Sequence, residues 1–305
     1  MPEASGGSSG APLDGPSDGQ WYPPEWPDRI RALARGELTP VAPRRAATVL
    51  LLRPGASGSG TSGMDVYMLR RRASMAFAGG AYAYPGGSVD ERDVRPVAWA
   101  GPGLADWARR LGAPSEAEAQ AIVCAAVRET FEEAGVLLAG PSPEAVVADT
   151  TGADWEADRL ALVARELSFA DLLARRGLVL RSDLLGAWAR WITPEFERRR
   201  YDTWFFTAAL PAGQRTRNAS TEADRTVWVR PAEAVVGYGR GELLMMPPTI
   251  TMLRDLTAYE TPQAVLAAAP GRELAPVLAT ASLAEDGRLT LSWPGHEEFT
   301  RRLPA

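Results

Sequence analysis

The chain contains no lysine: all 33 of its basic side chains are arginines. It has one histidine, His296, and one cysteine, Cys124. Each scarcity removes a class of chemistry. With a single cysteine no disulfide forms within the chain, which fits a reducing compartment, and a cytoplasmic setting is expected. A structural zinc site takes about four Cys or His ligands, and only two candidates exist. Lysine Schiff bases and a lysine-based phosphate loop are excluded. A Ser-His-Asp triad would have to use His296, close to the C-terminal end. Long apolar runs are missing too: stretches such as Ala46–Leu52 are far too short to span a bilayer, so no membrane segment is expected. The opening residues 1–20 have neither a basic start nor an apolar centre, so they do not read as a secretory signal. There is no excess of positive charge. The formal net charge of -5 argues against a nucleic-acid partner, which usually needs a basic face. The hydrolytic chemistry left to such a chain rests on carboxylates, hydroxyls, arginines and a bound metal ion.

A hydrophobic share of 46% is ample for a core, and 305 residues allow one large domain or two ordinary ones. Residues 1–20 are rich in Gly, Ser and Pro and read as a disordered tail. From there the periodicity predicts a short helix after Trp26, a buried strand over Ala46–Arg53 and a flexible loop. The hairpin partner of that strand is expected over Asp65–Arg70. Ala81–Tyr84 is expected as a further strand, ended by Pro85-Gly86-Gly87. A short helix is expected over Leu104–Leu111 and a long one from Ser115 to Ala134, where Ser115 and Glu118 have capping-box spacing and Gly135 is a natural stop. Trp155–Leu173 reads as helix in two pieces. Ala187–Ile192, Thr203–Leu210 and Thr226–Val229 read as strands. Pro231–Val236 and Pro248–Tyr259 read as helices with Pro in the first turn. A small helix and a strand at Arg288–Trp293 close the chain. Strands interleaved with helices give an α/β class. No internal repeat is visible.

The chemistry concentrates in Arg128-Glu129-Thr130-Phe131-Glu132-Glu133-Ala134-Gly135-Val136. Glu129, Glu132 and Glu133, spaced i, i+3, i+4, share one helix face, where like charges repel unless something neutralises them. Val123, Val127, Thr130 and Ala134 fall on another face, suited to packing on a sheet. Clustered carboxylates on a docked helix suit hard cations such as Mg²⁺. Arg128 can reach Glu132 at i+4 and orient it. An ordinary solvated Glu-rich face would share this spacing. The preceding strand with its Pro-Gly-Gly turn and the terminal Gly135 set this helix apart. His296 is expected on a surface turn and Cys124 as a small packed side chain.

The pattern R-E-x-x-E-E-x-G, with Pro85-Gly86-Gly87 upstream, resembles the signature of the Nudix hydrolases. Gly87 and Arg128 stand 41 positions apart, 27 more than in the family pattern, so the signature is split by an insertion. Counted from Gly87, the pattern's first glutamate falls on Asp93; counted back from Arg128, it falls on Gln120. The sequence leaves Asp93, Glu118 or no residue in that place. The split, with the stretches Arg70–Gly87, Trp191–Phe206 and Met245–Leu253, resembles the peroxisomal coenzyme A diphosphatase branch.

That resemblance implies an α/β/α sandwich around a mixed central sheet. A Nudix domain is expected over residues 26–260, with an insertion at about 94–115 forming a lid or wall by the substrate. A tail over residues 1–25 and a C-terminal extension over 261–305 would flank it. The resemblance implies Mg²⁺ or Mn²⁺ held by Glu129, Glu132, Glu133, the Gly86 carbonyl and Glu222 of a later loop. Arg128, Glu129 and Glu132 would serve catalysis. Arg70, Arg72, Arg199, Arg200 and Gly87 would bind substrate. The implied reaction cleaves a diphosphate in coenzyme A or acyl-coenzyme A to 4′-phosphopantetheine, or its acyl form, and 3′,5′-ADP. ADP-ribose, a nucleotide sugar or a dinucleotide is the alternative substrate, and a non-catalytic nucleotide-binding protein the alternative class. By family analogy alone a homodimer is expected.

Overall fold

A computed structural model describes residues 25–55, 63–74, 78–220, 222–283, 288–293 and 296–302. The expected tail, apart from Glu25, and most of the loop after the first strand lie outside the described residues. Helix α1 (Trp26–Ala34) carries Pro27 and Asp28 in its first turn and buries Trp26 and Ile30. Strand β1 (Arg44–Pro54) holds the apolar run Ala46–Leu52. Side chains on both its faces are buried, which marks a central strand covered on two sides. It is followed by β2 (Met64–Arg71), β3 (Tyr82–Ala83), β4 (Gly86–Ser88) and β5 (Trp99–Ala100).

Next come α2 (Leu104–Leu111), α3 (Glu116–Ala134), β6 (Ala139–Gly140), α4 (Ala153–Val163), α5 (Phe169–Arg176) and β7 (Val179–Arg181). The remaining elements are β8 (Gly186–Ile192), β9 (Tyr201–Ala209), β10 (Ala223–Val229), α6 (Pro231–Gly239), α7 (Pro247–Leu256) and α8 (Pro262–Ala268). Strands β11 (Val277–Leu278), β12 (Thr280–Leu283), β13 (Arg288–Trp293) and β14 (His296–Arg302) end the chain.

The main sheet runs β10-β2-β1-β9-β8-β11, with β3 on β2 and β4 on β1. It is mixed: β1 pairs antiparallel with β2 and parallel with β9, from Arg44 opposite Tyr201 to Leu52 opposite Ala209. The period of two sends Ala47, Val49 and Leu51 into one core with Ile122, Val127 and Phe131 of α3. Leu50 and Leu52 enter the other, with Ile250 and Leu253 of α7 and with Trp26. The result is the expected sandwich of helices on both faces of a mixed sheet.

The segment between Gly87 and α3 is part of the core. Trp107 of α2 meets Phe206 edge-on at 6.0 Å between ring centroids, and the Trp204 indole donates to the Leu111 carbonyl at 2.9 Å. β5 pairs parallel with β7, which pairs antiparallel with β6, in a small separate sheet. A third sheet, β12-β13-β14, is formed by the last three strands.

Candidate active site

Helix α3 starts and stops where its sequence dictates. The Ser115 hydroxyl accepts from the Glu118 amide at 3.2 Å, and Gly135 takes the left-handed conformation, φ 71°, donating to the Phe131 carbonyl. The helix presses against β1 through Ala119, Ile122, Val123 and Ala126, none more than 0% exposed. That docking carries the last two turns to the rim of the sheet, beside β4. Register does the rest. β4 pairs with β1 at Ala47 opposite Gly87 and Thr48 opposite Gly86. A Cβ on Gly87 would lie 2.5 Å from Glu129 Oε1, so only glycine lets the strand approach the carboxylate this closely. The Gly86 amide donates to Glu133 Oε2 at 2.9 Å, and the Ser220 hydroxyl to Glu133 Oε1 at 3.2 Å.

Arg128 organises the cluster. Its Nη1 donates to Glu129 Oε1 at 2.7 Å and to Glu132 Oε1 at 3.2 Å. On its other edge Nε and Nη2 make a two-pronged contact with Asp93, at 3.0 and 2.8 Å, and Nη2 also reaches the Ser88 carbonyl at 3.0 Å. Of the two acids that could supply the first carboxylate, Asp93 contacts Arg128. Glu118 pairs with Arg45, and Gln120 donates to the carbonyls of Asp93 and Arg95, tying the inserted segment to the helix. Asp93 holds its own loop as well: with Asp90 it forms a capping box on the short 3₁₀ turn Glu91–Val94.

The electrostatics follow from this crowding. Glu129 and Glu132 side chains are only 14% and 13% exposed. Desolvation pushes Glu129 up to about 7, partly opposed by Arg128 and reinforced by Glu132. It pushes Glu133 up to about 8, with the charge of Glu129 adding to the effect. Glu132 is raised for the same reason. Burial works against the charge on Arg128, but Asp93, Glu129 and Glu132 more than offset it and its pKa is raised. Asp90 moves the other way: hydrogen bonding by Arg92 lowers it to about 2.

These groups line a cavity of about 490 Å³ with five acids and five arginines on its walls. Glu222 is among the acids, 3.7 Å from Arg71, and contributes to the raised pKa of Glu133. Of the arginines expected to bind substrate, only Arg199 lines it. Arg70 turns away and pairs with Asp224 at 2.7 Å. Arg72 is exposed outside the cavity, its amide donating to the Glu222 carbonyl. Arg200 is buried and donates to the carbonyls of Thr193 and Val41, a structural duty. Arg71, Arg92 and Arg165 line it as well. The expected lid is also displaced. No residue from 94 to 115 lines the cavity; the outer wall comes from Leu162, Val163 and Arg165 at the end of α4.

The donor set fits a divalent cation. It consists of oxygen ligands, held near one another and so far desolvated that two are pushed towards the neutral form. Among the described residues, no three acidic, histidine or cysteine side chains converge into a ready-made cage. Arg128 holds Glu129 and Glu132, while Gly86 and Ser220 hold Glu133.

Comparison with known proteins points the same way. A family profile described as the NUDT19 Nudix domain matches residues 96–256. The chain is 29% identical over 262 residues to the acyl-coenzyme A diphosphatase NUDT19 of Gallus gallus, covering 72% of the chain and 69% of that protein. The NUDT19 of Homo sapiens is 26% identical over 262 residues, covering 71% and 69%. That of Xenopus laevis is 23% identical over 235 residues, covering 65% and 61%. Among solved structures, a Nudix hydrolase from Alicyclobacillus acidocaldarius superposes with a TM-score of 0.61 at 27% identity, covering 74% of the chain and 96% of that structure.

Proposed function

The chain belongs to the NUDT19 Nudix domain family of hydrolases, and from that membership we propose that it cleaves the diphosphate of coenzyme A and acyl-coenzyme A. The products are 3′,5′-ADP and 4′-phosphopantetheine or its acyl form. The observation that carries the reading is the clamp of Arg128 on Asp93, Glu129 and Glu132, set against Gly86-Gly87 in an arginine-walled cavity. The acyl-coenzyme A diphosphatase activity for which the avian and human relatives are named supports the choice of substrate.

Glu129, Glu132 and Glu133 would hold the cation, Mg²⁺ or Mn²⁺, with Glu222 and the Gly86 backbone as further oxygen donors. When bound it supplies charge neutralisation on the diphosphate oxygens. The chain's own residues do the rest. Arg71, Arg165 and Arg199 face the cavity and bind phosphate oxygens through their planar forks. The attacking water forms its bond to phosphorus as the bridging P–O bond breaks. A proton from the water passes to a carboxylate of the cluster, and Glu129, held by Arg128 on the cavity wall, is placed to take it. Arg128 keeps that carboxylate in place, and Leu162 and Val163 limit the water around it.

A reducing, cytoplasmic setting belongs to the same reading, in keeping with one cysteine, buried in α3. Among the described residues no helix is long and apolar enough to cross a membrane. The test is a panel of coenzyme A, acyl-coenzyme A esters, ADP-ribose, NADH and nucleotide sugars, each incubated with Mg²⁺ or Mn²⁺ and analysed by mass spectrometry. Release of 3′,5′-ADP from coenzyme A species is expected. Cleavage of another compound alone, with coenzyme A untouched, would overturn the assignment.

A further inference from the structure

A second cavity of about 210 Å³ opens beside the first, and the two share Thr48, Arg71, Gly86, Tyr201 and Thr203 as a common wall. Gly86 fixes how close they are, since its amide holds Glu133. Their chemistry differs sharply. Arg92, Arg128, Arg165 and Arg199 line only the first. The second is walled mainly by apolar side chains such as Trp191, Phe205, Met246 and Leu291, with Thr193, Thr249, the Glu197 carboxylate and the shared Arg71 as polar points. Part of its wall comes from beyond the residues matched by the family profile: Trp26 from α1, Ala279 from the turn between β11 and β12, and Leu291 from β13. Trp26 is fixed there by donating its indole N–H to Glu197 at 2.6 Å.

We propose that this second cavity is the subsite for the pantetheine arm of the substrate, so that the cavity pair fixes which half of the molecule lies on which side of the reacting phosphorus. The proposal rests on the coenzyme A reading above and deepens it. The two halves of such a substrate differ as the two cavities do. The 3′-phosphoadenosine half carries the extra phosphate charge and belongs with the arginines. The arm is uncharged, mostly aliphatic, and interrupted by amides that need a few hydrogen-bonding partners in an otherwise apolar site. Placing the arm in the first cavity would set an uncharged chain among ten charged side chains, and placing the phosphates among Trp191, Phe205 and Leu291 would strip them of water beside the Glu197 carboxylate, with Arg71 as the one cation among the described residues of that wall.

Ala279, 5% exposed on the wall, gives the test: Ala279→Leu narrows the cavity without touching a charged group. Three substrates are compared: coenzyme A, dodecanoyl-coenzyme A and the methyl ester of 3′-phospho-ADP, which keeps the diphosphate but has no arm. The expected result is a drop of ten-fold or more in kcat/KM for the two armed substrates and less than two-fold for the methyl ester. Met246→Ala, which widens the same cavity, should likewise change kcat/KM for the armed substrates alone. Independently of any variant, a coenzyme A thioether bearing a diazirine on its sulfur substituent, bound in EDTA and irradiated, should label peptides containing Phe205, Met246 or Leu291. Equal losses on all three substrates, or labelling confined to the arginine cavity, would overturn the subsite while leaving the coenzyme A reading intact. If the wild-type protein releases no 3′,5′-ADP from coenzyme A, the reading itself fails and the subsite falls with it.

Discussion

Helix α3 has two halves that are physically opposite. From Ala119 to Val127 nearly every side chain is small and apolar and buried against the sheet; from Arg128 to Glu133 the chain inserts four charges at the end of the same cylinder. The first half stabilises the protein by packing. The second half opposes stability: desolvation drives its carboxylates towards neutrality, and only Arg128, Asp93 and a cation can justify the charges there. A fold tolerates such an end because the other end is anchored so well. The difference separates residues that can be exchanged for others of equal volume from residues whose charge is the point.

That contrast can be broken most forcefully at Glu133. Glu133→Gln, and likewise Glu132→Gln, should lower kcat by about a thousand-fold while the circular dichroism spectrum is kept. Near-normal turnover in both would mean that the charged half is ordinary surface. Next in size is Asp93→Asn, which leaves Arg128 buried without its two-pronged partner. A loss of about 3 kcal/mol in denaturant unfolding is expected, together with reduced activity, because two charge-assisted hydrogen bonds in a buried site are weakened while Arg128 keeps Glu129 and Glu132. Ala126→Leu probes the apolar half. Overpacking a fully buried site should cost about 2 kcal/mol, and because Ala126 touches no reacting group, the folded fraction should keep its kcat.

The smallest expected effect is a pH dependence of the metal-free protein. Glu129 and Glu133 sit at about 7 and 8 when folded against an ordinary value of 4.5. Their folded-state values are raised, so their contribution is fully present below about pH 4.5 and is lost as pH rises through 7 and 8. In EDTA the melting temperature should therefore fall by a few degrees between about pH 5 and pH 8. Mg²⁺ or Mn²⁺ should restore it most at the upper end, where the carboxylates are ionised. A melting temperature flat across this range in both conditions would remove the electrostatic distinction between the two halves.

The sequence displayed what is local and concealed what depends on register and long-range closure. The glutamates of α3 were legible because i, i+3, i+4 spacing puts them on one face whatever surrounds the helix. The Ser115 cap, the Gly135 stop and the runs that became β1, β2, β8 and β9 were legible for the same reason. Asp93 was not, because counting from Gly87 and counting from Arg128 give different answers across an insertion. Arg199 and Arg200 show the register problem most simply. Adjacent residues entering β9 face opposite ways, so one lines the cavity and the other is buried against carbonyls. Arg92 and Arg165 carried no signal, since in a chain without lysine arginine also serves as common surface charge. Strands such as β5, β6 and β7, two or three residues long, are too short to show a period.

The contact between Asp93 and Arg128 spans 35 positions. An ion pair so far apart along the chain cannot assist the early, local steps of folding, because each doubling of a closed loop adds about 0.6 kcal/mol of entropy to be overcome. Helix α3 can begin to form from its capped, alanine-rich end, with Arg128 meeting Glu129 and Glu132 locally, but Asp93 reaches Arg128 only once the intervening segment has found its place against Trp204 and Phe206. The order of assembly is thus written into the molecule: the scaffold first, the reactive end last.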